Sequence, residues 1–450
     1  MNSEKNSEKE SHVMINSLLS STKFLSFEKM TSEDLASIVY CLGQGFNGRR
    51  PRIAFVKDGR PSDTVRELEE ELSSHYEVVA LNRVQPDPRA ADITTMALEC
   101  DIEHIDLVIG LGGGSVMDSA KAIAMLARNG GNLEEYLGPS PHRAIERKGL
   151  PLLLVPTTAG TGSEATKVGV YTSSSGRKFT LSSPFLQADA AALSGALAAT
   201  MPPSLTASTG FDALSHALES IWNKNATPLT LDAAIRSAGM VLRALPKAYQ
   251  ASLQQEQRIR MSGSSHTDIR RYFLGHDDDH EYGKNQSVNA VFLKMLEAAA
   301  SAGIAFSITG TALVHALSFV LSEDWHVPHG AACAFTLEDA YRLQAEDPRV
   351  RASLEVLARE VFAPGADKAD KKEENRSTSH SDDLVARLLE HIVGLKATMG
   401  LPFTFENLGI KIDSEEIRKR FERAFDDPKM ANSMPQVTKD EVYALLEAKA

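Results

Sequence analysis

Short apolar runs alternate with helical stretches in the N-terminal half of the chain. The apolar runs have the length and the β-rich composition of buried strands, and they cover residues 52–58, 76–81, 105–110 and 152–156. Between them apolar side chains recur at helical spacing, and a first amphipathic helix is predicted from Leu25 to Gly48. Strands that alternate with helices are typical of a parallel sheet with both faces covered. We therefore predict an α/β domain over residues 23–200.

The pattern changes beyond Pro202, where long helical segments with little strand run to the end of the chain. We predict an all-α domain over residues 201–450. Two segments interrupt it, at residues 254–286 and 365–383, and both are dense in polar and charged residues. Such segments cannot bury enough apolar surface to order firmly, so we interpret them as surface insertions. The polar residues 1–22 are predicted to be a disordered tail.

Composition and charge narrow the class of protein. The chain has 450 residues, enough for two or three domains, and its 42% hydrophobic and 24% charged residues are ordinary for a soluble globular protein. No uninterrupted apolar run reaches the roughly 18 residues of a membrane span, and the acidic start is not typical of a secretory signal. The net charge of -12 disfavours nucleic acid as a partner. We expect a cytoplasmic protein that acts on a small molecule, without nucleic acid or membrane.

The number and spacing of the cysteines indicate whether the protein works in a reducing or an oxidising compartment. Cys41, Cys100 and Cys333 are odd in number, scattered, and lack C-x-x-C spacing. This pattern indicates a reducing compartment, and it argues against disulfides and against a thiolate zinc site.

Four residues of the helical half have side chains suited to a divalent metal. Asp212 and His216 stand four residues apart, so they share one face of the predicted helix. About a hundred residues further on, His315 and His329 are embedded in apolar sequence, where an unpaired imidazole would be costly to bury. Mixed oxygen and nitrogen ligands suit a divalent transition metal. We therefore predict one metal site formed by Asp212, His216, His315 and His329.

Three segments at the ends of predicted strands carry residues suited to a dinucleotide. Residues 110–118 are Gly-rich and begin a helix, and the amides at a helix N-terminus attract a phosphate. The glycine spacing is not G-x-G-x-x-G, so this segment alone fits an ordinary βα turn equally well. Residues 156–164 offer hydroxyls and amides after another strand. Asp58 ends the first strand of this half, where a carboxylate can bind ribose hydroxyls and repel a 2′-phosphate. The residues predicted to bind the cofactor are Asp58, Gly112, Gly113, Gly114, Ser115, Asp118, Thr157, Thr158, Thr161 and Ser163.

These motifs resemble those of the iron-containing (group III) alcohol dehydrogenase family, over about residues 25–450. Residues 112–118, Gly-Gly-Gly-Ser-x-x-Asp, are similar to its pyrophosphate loop, and residues 156–164, Pro-Thr-Thr-Ala-Gly-Thr-Gly-Ser-Glu, are similar to its second cofactor loop. The four predicted ligands fall on the family's metal positions, and Asp58 falls on the acidic position associated with NAD. The resemblance implies hydride transfer between NAD(H) and a small aldehyde or alcohol. It also implies Fe2+ as the metal, with Zn2+ as an alternative, and a homodimer or larger homo-oligomer.

The chain departs from this family at Phe319, where many members carry a histidine four residues after the ligand that corresponds to His315. His326 lies nearby in the sequence and is expected to be on a surface loop. Short strings at residues 176–179 and 219–225 resemble the phosphonoacetaldehyde reductase branch. Since a phosphonate would need a cation, Lys167, Arg177 and Lys178 are candidate substrate contacts. Phe319 is a fourth candidate because it would form an apolar wall of the pocket.

Three alternatives stay open. A glycerol-dehydrogenase-like enzyme on the same fold would bind zinc with fewer histidines. A dehydroquinate-synthase-like enzyme would use a glutamate and two histidines, so Asp212 argues against it. A non-catalytic dinucleotide-binding protein would use the polar insertions to bind partners, but four metal ligands argue against that role.

Overall fold

The computed structural model describes residues 22–43, 50–59, 63–262, 287–362 and 383–450. The chain divides into two compact units: unit 1 comprises Met1–Thr157 and Ser163–Ser194, and unit 2 comprises Thr158–Gly162 and Gly195–Ala450. The predicted tail and most of both predicted insertions lie outside the described residues. The start of the first insertion, residues 254–262, is described, and it continues a long helix instead of leaving the fold.

Unit 1 is built on a six-stranded parallel sheet with the strand order β1-β8-β5-β4-β2-β3. The strands of the sheet are β1 (Lys23–Phe27), β2 (Arg52–Asp58), β3 (Glu77–Val84), β4 (Leu107–Gly112), β5 (Leu152–Pro156) and β8 (Ala190–Ser194). An antiparallel hairpin is formed by β6 (Val168–Thr172) and β7 (Lys178–Ser182). Strands β4, β5 and β8 are buried along their whole length, as expected where both faces of a parallel sheet are covered.

The helices of unit 1 are α1 (Ser32–Leu42), α2 (Asp63–His75), α3 (Ala90–Glu99) and α4 (Gly114–Asn129). Helix α4 packs closely on β4 because two glycines of the strand have no side chain. A Cβ atom at Gly110 would lie 2.6 Å from the Cβ of Ala120, and one at Gly112 would lie 2.6 Å from a methyl of Val116. The Gly-rich segment therefore brings the N-terminus of α4 against the end of the central strand.

The helix predicted from Leu25 to Gly48 is wrong at its start. Residues 23–27 form β1, which pairs with β8 at the edge of the sheet, and helix α1 begins only at Ser32. Thr31 begins it through a capping box, in which its side chain accepts from Asp34 N–H while the Asp34 carboxylate accepts from Thr31 N–H. Pairing with a strand distant in sequence overrides the local helical pattern.

Unit 2 is helical. Its helices are α5 (Gly195–Ala198), α6 (Pro203–Ile221), α7 (Pro228–Ser262), α8 (Val288–Thr309), α9 (Leu313–Trp325), α10 (His329–Gln344), α11 (Pro348–Phe362), α12 (Leu384–Thr398), α13 (Ser414–Phe421) and α14 (Lys439–Glu447). Helices α7, α8 and α10 pack against α6, and α9 packs against α10. The prediction of a parallel α/β half followed by a helical half is confirmed.

Helix α8 is the one helix of the described residues that is long and apolar enough to cross a membrane, by length and composition alone. The sequence prediction did not single it out because Lys294 and Glu297 interrupt its apolar residues. Packing on α7 and α6 buries 56% of its most apolar 18-residue window. Core helices of soluble proteins pass the same test, so this composition is weak evidence for a membrane span.

Candidate metal and cofactor sites

Helix α6 presents Asp212 and His216 on one face, as their spacing predicts. Both residues are buried, with 2% and 5% of their surfaces exposed. The Nδ1 atom of His216 lies 3.7 Å from the Oδ1 atom of Asp212. The His216 ring also stacks on Phe306 of α8, with 4.1 Å between the ring centres. Helix packing therefore fixes both side chains in a dry environment.

Helices α9 and α10 bring two more imidazoles to the same carboxylate. His315 lies in the first turn of α9 and His329 begins α10. Their Nε2 atoms lie 3.6 Å and 3.5 Å from Asp212 Oδ1. Four ligands about 2.1 Å from a tetrahedral ion stand about 3.4 Å apart. The distances from Asp212 Oδ1 to the three imidazoles therefore suit a shared ion.

The hydrogen bonding at this cluster also fits a cation. Asp212 Oδ1, His216 Nδ1 and His315 Nε2 are buried and have no hydrogen-bond partner in the part of the chain that the structure describes. Leaving a buried polar atom unpaired costs about 1–3 kcal/mol. A divalent ion bound at this position would satisfy all three atoms at once, and oxygen and nitrogen donors suit a transition metal.

Glu219, also on α6, supports His315 from the side away from Asp212. Its carboxylate is fully buried and accepts a 2.6 Å hydrogen bond from His315 Nδ1. Since a carboxylate can only accept, Nδ1 carries the proton and Nε2 keeps its lone pair for a metal. The same carboxylate accepts the backbone N–H groups of Ala312 and Val314 at the start of α9, where the N-cap residue Ala312 has no side chain that could cap the helix. Sequence analysis missed this role, although Glu219 follows His216 at helical spacing.

Burial and neighbouring charges shift the pKa values of these groups. Burial alone would raise the pKa of Asp212, but the imidazoles of His216, His329 and His315 hold it below its usual range. Burial lowers the pKa of His216 to about 3, so its ring stays neutral. Burial alone would lower the pKa of His315, but the side chains of Cys333 and Glu219 raise it well above its usual value. Burial alone would also lower the pKa of His329, but Cys333 and Asp212 raise it. Because metals bind neutral imidazoles, metal binding would displace the protons that His315 and His329 favour.

Two further side chains surround the cluster. Cys333 lies one turn after His329 on α10; it is fully buried, and its Sγ atom is 3.8 Å from His329 Nε2. Burial would raise the pKa of this thiol, but His315 and His329 lower it to about 7.

Phe319 stands where the family resemblance predicted a histidine. Its ring centre is 6.1 Å from that of His329, so the ring forms an apolar wall there. His326 is exposed at the end of α9, as predicted.

Three predicted cofactor segments meet at one edge of the sheet in unit 1. Asp58 ends β2, Gly112 ends β4 and Thr157 follows β5, and these strands are neighbours in the order β5-β4-β2. The backbone N–H of Thr157 donates to the Gly112 carbonyl, with 2.9 Å between nitrogen and oxygen. The predicted residues Gly113, Gly114 and Ser115 form the N-terminus of α4, which has no side-chain cap. Its N-terminal amides and its dipole can therefore face an anion.

The second loop is held by a buried network that the sequence did not suggest. Asp118 accepts from the Ser163 hydroxyl at 2.6 Å and from the Val170 N–H at 2.9 Å. The Lys121 ammonium, which is almost fully buried, donates to the hydroxyls of Ser163 and Thr166 at 2.9 Å. Burial lowers the pKa of Lys121 to about 8. Asp118 and Ser163 thus bind each other, and their contact with a cofactor stays a prediction.

The rest of that loop belongs to unit 2. Thr158 and Thr161 fall within Thr158–Gly162, where Gly160 lies against α6. A Cβ atom on Gly160 would lie 2.7 Å from Thr209, one turn before Asp212. The small residues of this loop therefore approach the helix that carries two of the predicted ligands.

The predicted substrate cations lie on and before the hairpin of unit 1. Lys167 immediately precedes β6, and Arg177 is exposed in the turn before β7. The Lys178 ammonium lies 2.6 Å from a carboxylate oxygen of Asp87, and the Lys178 side chain is 7% exposed. Contact of these residues with a substrate stays a prediction.

Family comparisons cover both units. The family described as iron-containing alcohol dehydrogenase matches residues 37–194, and its C-terminal counterpart matches residues 206–266 and 280–450. The chain belongs to the iron-containing alcohol dehydrogenase family. This confirms the resemblance found in the sequence.

Individual curated proteins resemble the chain to different extents. Long-chain-alcohol dehydrogenase 1 of Geobacillus thermodenitrificans is 35% identical over 232 residues, which are 52% of this chain and 50% of that protein. The chain thus matches about half the length of this relative. Sulfoacetaldehyde reductase of Bilophila wadsworthia is 28% identical over 369 residues, 81% of this chain and 82% of the relative.

Solved structures share the fold. A 1,3-propanediol oxidoreductase superposes with a TM-score of 0.74 at 22% identity, covering 96% of this chain and 98% of the other. Sulfoacetaldehyde reductase from Bifidobacterium kashiwanohense, in complex with NAD+, gives a TM-score of 0.73 at 25% identity, with 96% of both chains covered.

Proposed function

We propose that the chain is a metal- and NAD(H)-dependent alcohol dehydrogenase that interconverts a small aldehyde and its alcohol. The observation that carries the proposal is the approach of three imidazole nitrogens to within 3.5–3.7 Å of Asp212 Oδ1. The cofactor assignment is supported by the loops at the edge of the parallel sheet and by the NAD+ complex of a similar reductase. Asp58 favours NAD(H) over NADP(H), since a carboxylate there would repel a 2′-phosphate.

Asp212, His216, His315 and His329 would hold the ion, Fe2+ or Zn2+. When bound, such an ion supplies Lewis-acid polarisation of the substrate oxygen. Glu219 keeps the proton on His315 Nδ1, so that Nε2 faces Asp212. The rings of Phe306 and Phe319 lie beside His216 and His329, so apolar side chains line this part of the site. Phe319 also leaves this part of the site without the titratable group that many relatives carry there.

We further propose that the substrate is a short aldehyde with an anionic head, phosphonoacetaldehyde being the first candidate. Two sulfoacetaldehyde reductases are among the similar proteins, and a sulfonate resembles a phosphonate in charge and shape. Unit 2 also offers a cation near the cluster. The Lys429 ammonium lies 4.1 Å from the centre of the Phe319 ring and pairs with Asp427 at 2.9 Å. Lys429 is therefore a candidate in addition to Lys167, Arg177 and Lys178.

The test is a comparison of kcat/KM for phosphonoacetaldehyde, sulfoacetaldehyde and propionaldehyde with NADH. A charge-assisted contact contributes about 1.5–3 kcal/mol, so we expect at least about a tenfold preference for the charged aldehydes. Lys429→Met should raise KM chiefly for the charged substrates. Lys439→Met is the matched control, because Lys439 also faces a phenylalanine ring, that of Phe425, and pairs with Glu422.

Equal or better kcat/KM for propionaldehyde would contradict an anionic substrate and leave a general alcohol dehydrogenase. A preference that survives Lys429→Met but falls in Arg177→Met or Lys167→Met would assign the anion to the hairpin of unit 1 and the residue before it.

We also propose a cytoplasmic location and a homodimer or larger assembly. The scattered free cysteines support the location, and the family resemblance supports the assembly.

A further inference from the structure

Cys333 places a sulfur atom beside the predicted metal ligands. The ligand atoms of Asp212, His315, His329 and Cys333 all lie within 4.8 Å of one another. Cys333 projects from α10 one turn after His329, and its side chain is fully buried. The buried, unpartnered atoms Asp212 Oδ1 and His315 Nε2 belong to the same group of donors, so the thiol stands where polar atoms already lack partners.

The structure thus contains two overlapping sets of four donors. Asp212, His315 and His329 are common to both. His216 completes one set with a nitrogen 3.7 Å from Asp212 Oδ1, and Cys333 completes the other with a sulfur 3.8 Å from His329 Nε2. His216 and Cys333 lie on different helices, α6 and α10, so the two sets differ in which helix supplies the fourth donor.

We propose that Cys333 is an additional ligand of the metal, beside Asp212, His216, His315 and His329. This inference rests on the metal centre of the proposed function, and it runs against the sequence-based expectation of no thiolate metal site. Cysteine spacing gave no signal because the partners of Cys333 are an aspartate and histidines on other segments. A thiolate is a soft ligand that favours zinc and cobalt, whereas a site of imidazoles and a carboxylate alone also suits iron.

The first consequence concerns metal choice. A sulfur ligand should shift the relative affinity of the site towards Zn2+ and away from Fe2+. Cys333→Ser, which replaces sulfur by a hard oxygen of similar size, should lower affinity for Zn2+ by about tenfold or more. Affinity for Fe2+ should fall less, so the ratio of bound zinc to bound iron should drop.

The test uses the full chain, stripped of metal and reloaded with Co2+ alone, and its readout is the absorption spectrum. A cobalt–thiolate bond gives a near-ultraviolet charge-transfer band, which bonds from nitrogen and oxygen ligands do not give. We expect this band in the parent protein and its loss in Cys333→Ser, with the visible cobalt bands retained. Cys100→Ser, at another buried cysteine in unit 1, should leave the band unchanged.

X-ray absorption of the zinc-loaded parent protein tests the ligand without any substitution, in case Cys333→Ser fails to fold. A zinc–sulfur distance of about 2.3 Å is expected. Bound Co2+ with visible bands but no charge-transfer band, or zinc without a sulfur neighbour, would overturn the inference and leave the set with His216. Failure to bind either metal would overturn the metal centre itself, and the inference with it.

Discussion

At the scale of single residues, Glu219 shows how one buried carboxylate can determine two features of a site. Its carboxylate accepts hydrogen bonds from backbone N–H groups at the start of α9 and from His315 Nδ1. The helix that delivers a predicted metal ligand therefore begins at the group that also orients that ligand. Partners of this kind change metal affinity without touching the metal.

We therefore predict that Glu219→Gln weakens metal binding while the protein stays folded. The amide cannot accept from His315 and from both backbone N–H groups as a carboxylate does, so affinity for Zn2+ should fall by about 10–100-fold. Titration with a competing zinc chelator measures this change. Glu323→Gln on α9, where Glu323 pairs with Arg423, is the control and should retain parental affinity. Unchanged zinc affinity in Glu219→Gln would show that Glu219 only caps the helix.

Glu164, in the second cofactor loop, is buried, and neither of its carboxylate oxygens bonds another described residue. Burial raises its pKa from 4.5 to about 7, so the folded protein binds a proton that the unfolded chain releases. Its contribution to stability is therefore present below pH 4.5 and is lost as pH rises towards 7.

The prediction is that Glu164→Gln removes this pH dependence. The unfolding free energy of the parent relative to the variant, measured in denaturant without metal or cofactor, should fall by a few kcal/mol between pH 4.5 and 7. Subtracting the variant cancels titration elsewhere in the chain. A difference that stays constant with pH would mean that Glu164 is ionised in the folded state.

At the scale of elements, helix α10 links the metal cluster to the end of the chain. Glu338 of α10 binds the ammonium groups of Lys396 at 2.6 Å and Lys449 at 2.9 Å, and all three side chains are almost fully buried. The hydrophobic pattern predicts the helix, but it gives no sign that two lysines from distant segments meet inside the unit. Removing one partner of a buried ion network leaves charges uncompensated.

Glu338→Gln should therefore destabilise the protein by about 3–5 kcal/mol. Glu355→Gln is the control, because Glu355 forms an exposed pair with Arg359 and should change stability by less than about 1 kcal/mol. Denaturant midpoints of the two variants give the comparison. A Glu338→Gln variant within about 0.5 kcal/mol of the control would show that Asp339, 2.7 Å from Lys449, carries the network instead.

Elements were predictable from the sequence where local pattern and global fold agree. Strands β4 and β5 are apolar along their length, and β2 is apolar at residues 53–56. All three are followed by turn residues, so their positions could be predicted from composition. Strand β1 could not, because its pairing with β8 joins residues more than 160 positions apart, as in Lys23 with Ala190. Helical periodicity also cannot show that α7 continues through residues 254–262.

At the scale of the whole molecule, the predicted metal residues were recognisable because their chemistry is unusual in apolar sequence. Asp212, His216, His315 and His329 are all polar residues in otherwise apolar surroundings, and the structure places them together. Glu219, Cys333 and Lys121 were missed because a single carboxylate, thiol or ammonium in a helix has no distinctive local pattern. Their roles arise only when helices from different parts of the chain pack together.

The central claim is that these four residues hold a metal needed for NAD(H)-dependent turnover, and metal analysis of His315→Ala beside His326→Ala tests it most directly. Both histidines belong to the α9 segment, but His315 is buried in the cluster whereas His326 is exposed at the end of the helix. We predict that the parent and His326→Ala each bind one divalent ion per chain and reduce an aldehyde with NADH. His315→Ala should stay folded and lose both. Full metal occupancy and activity in His315→Ala would contradict the four-ligand metal centre.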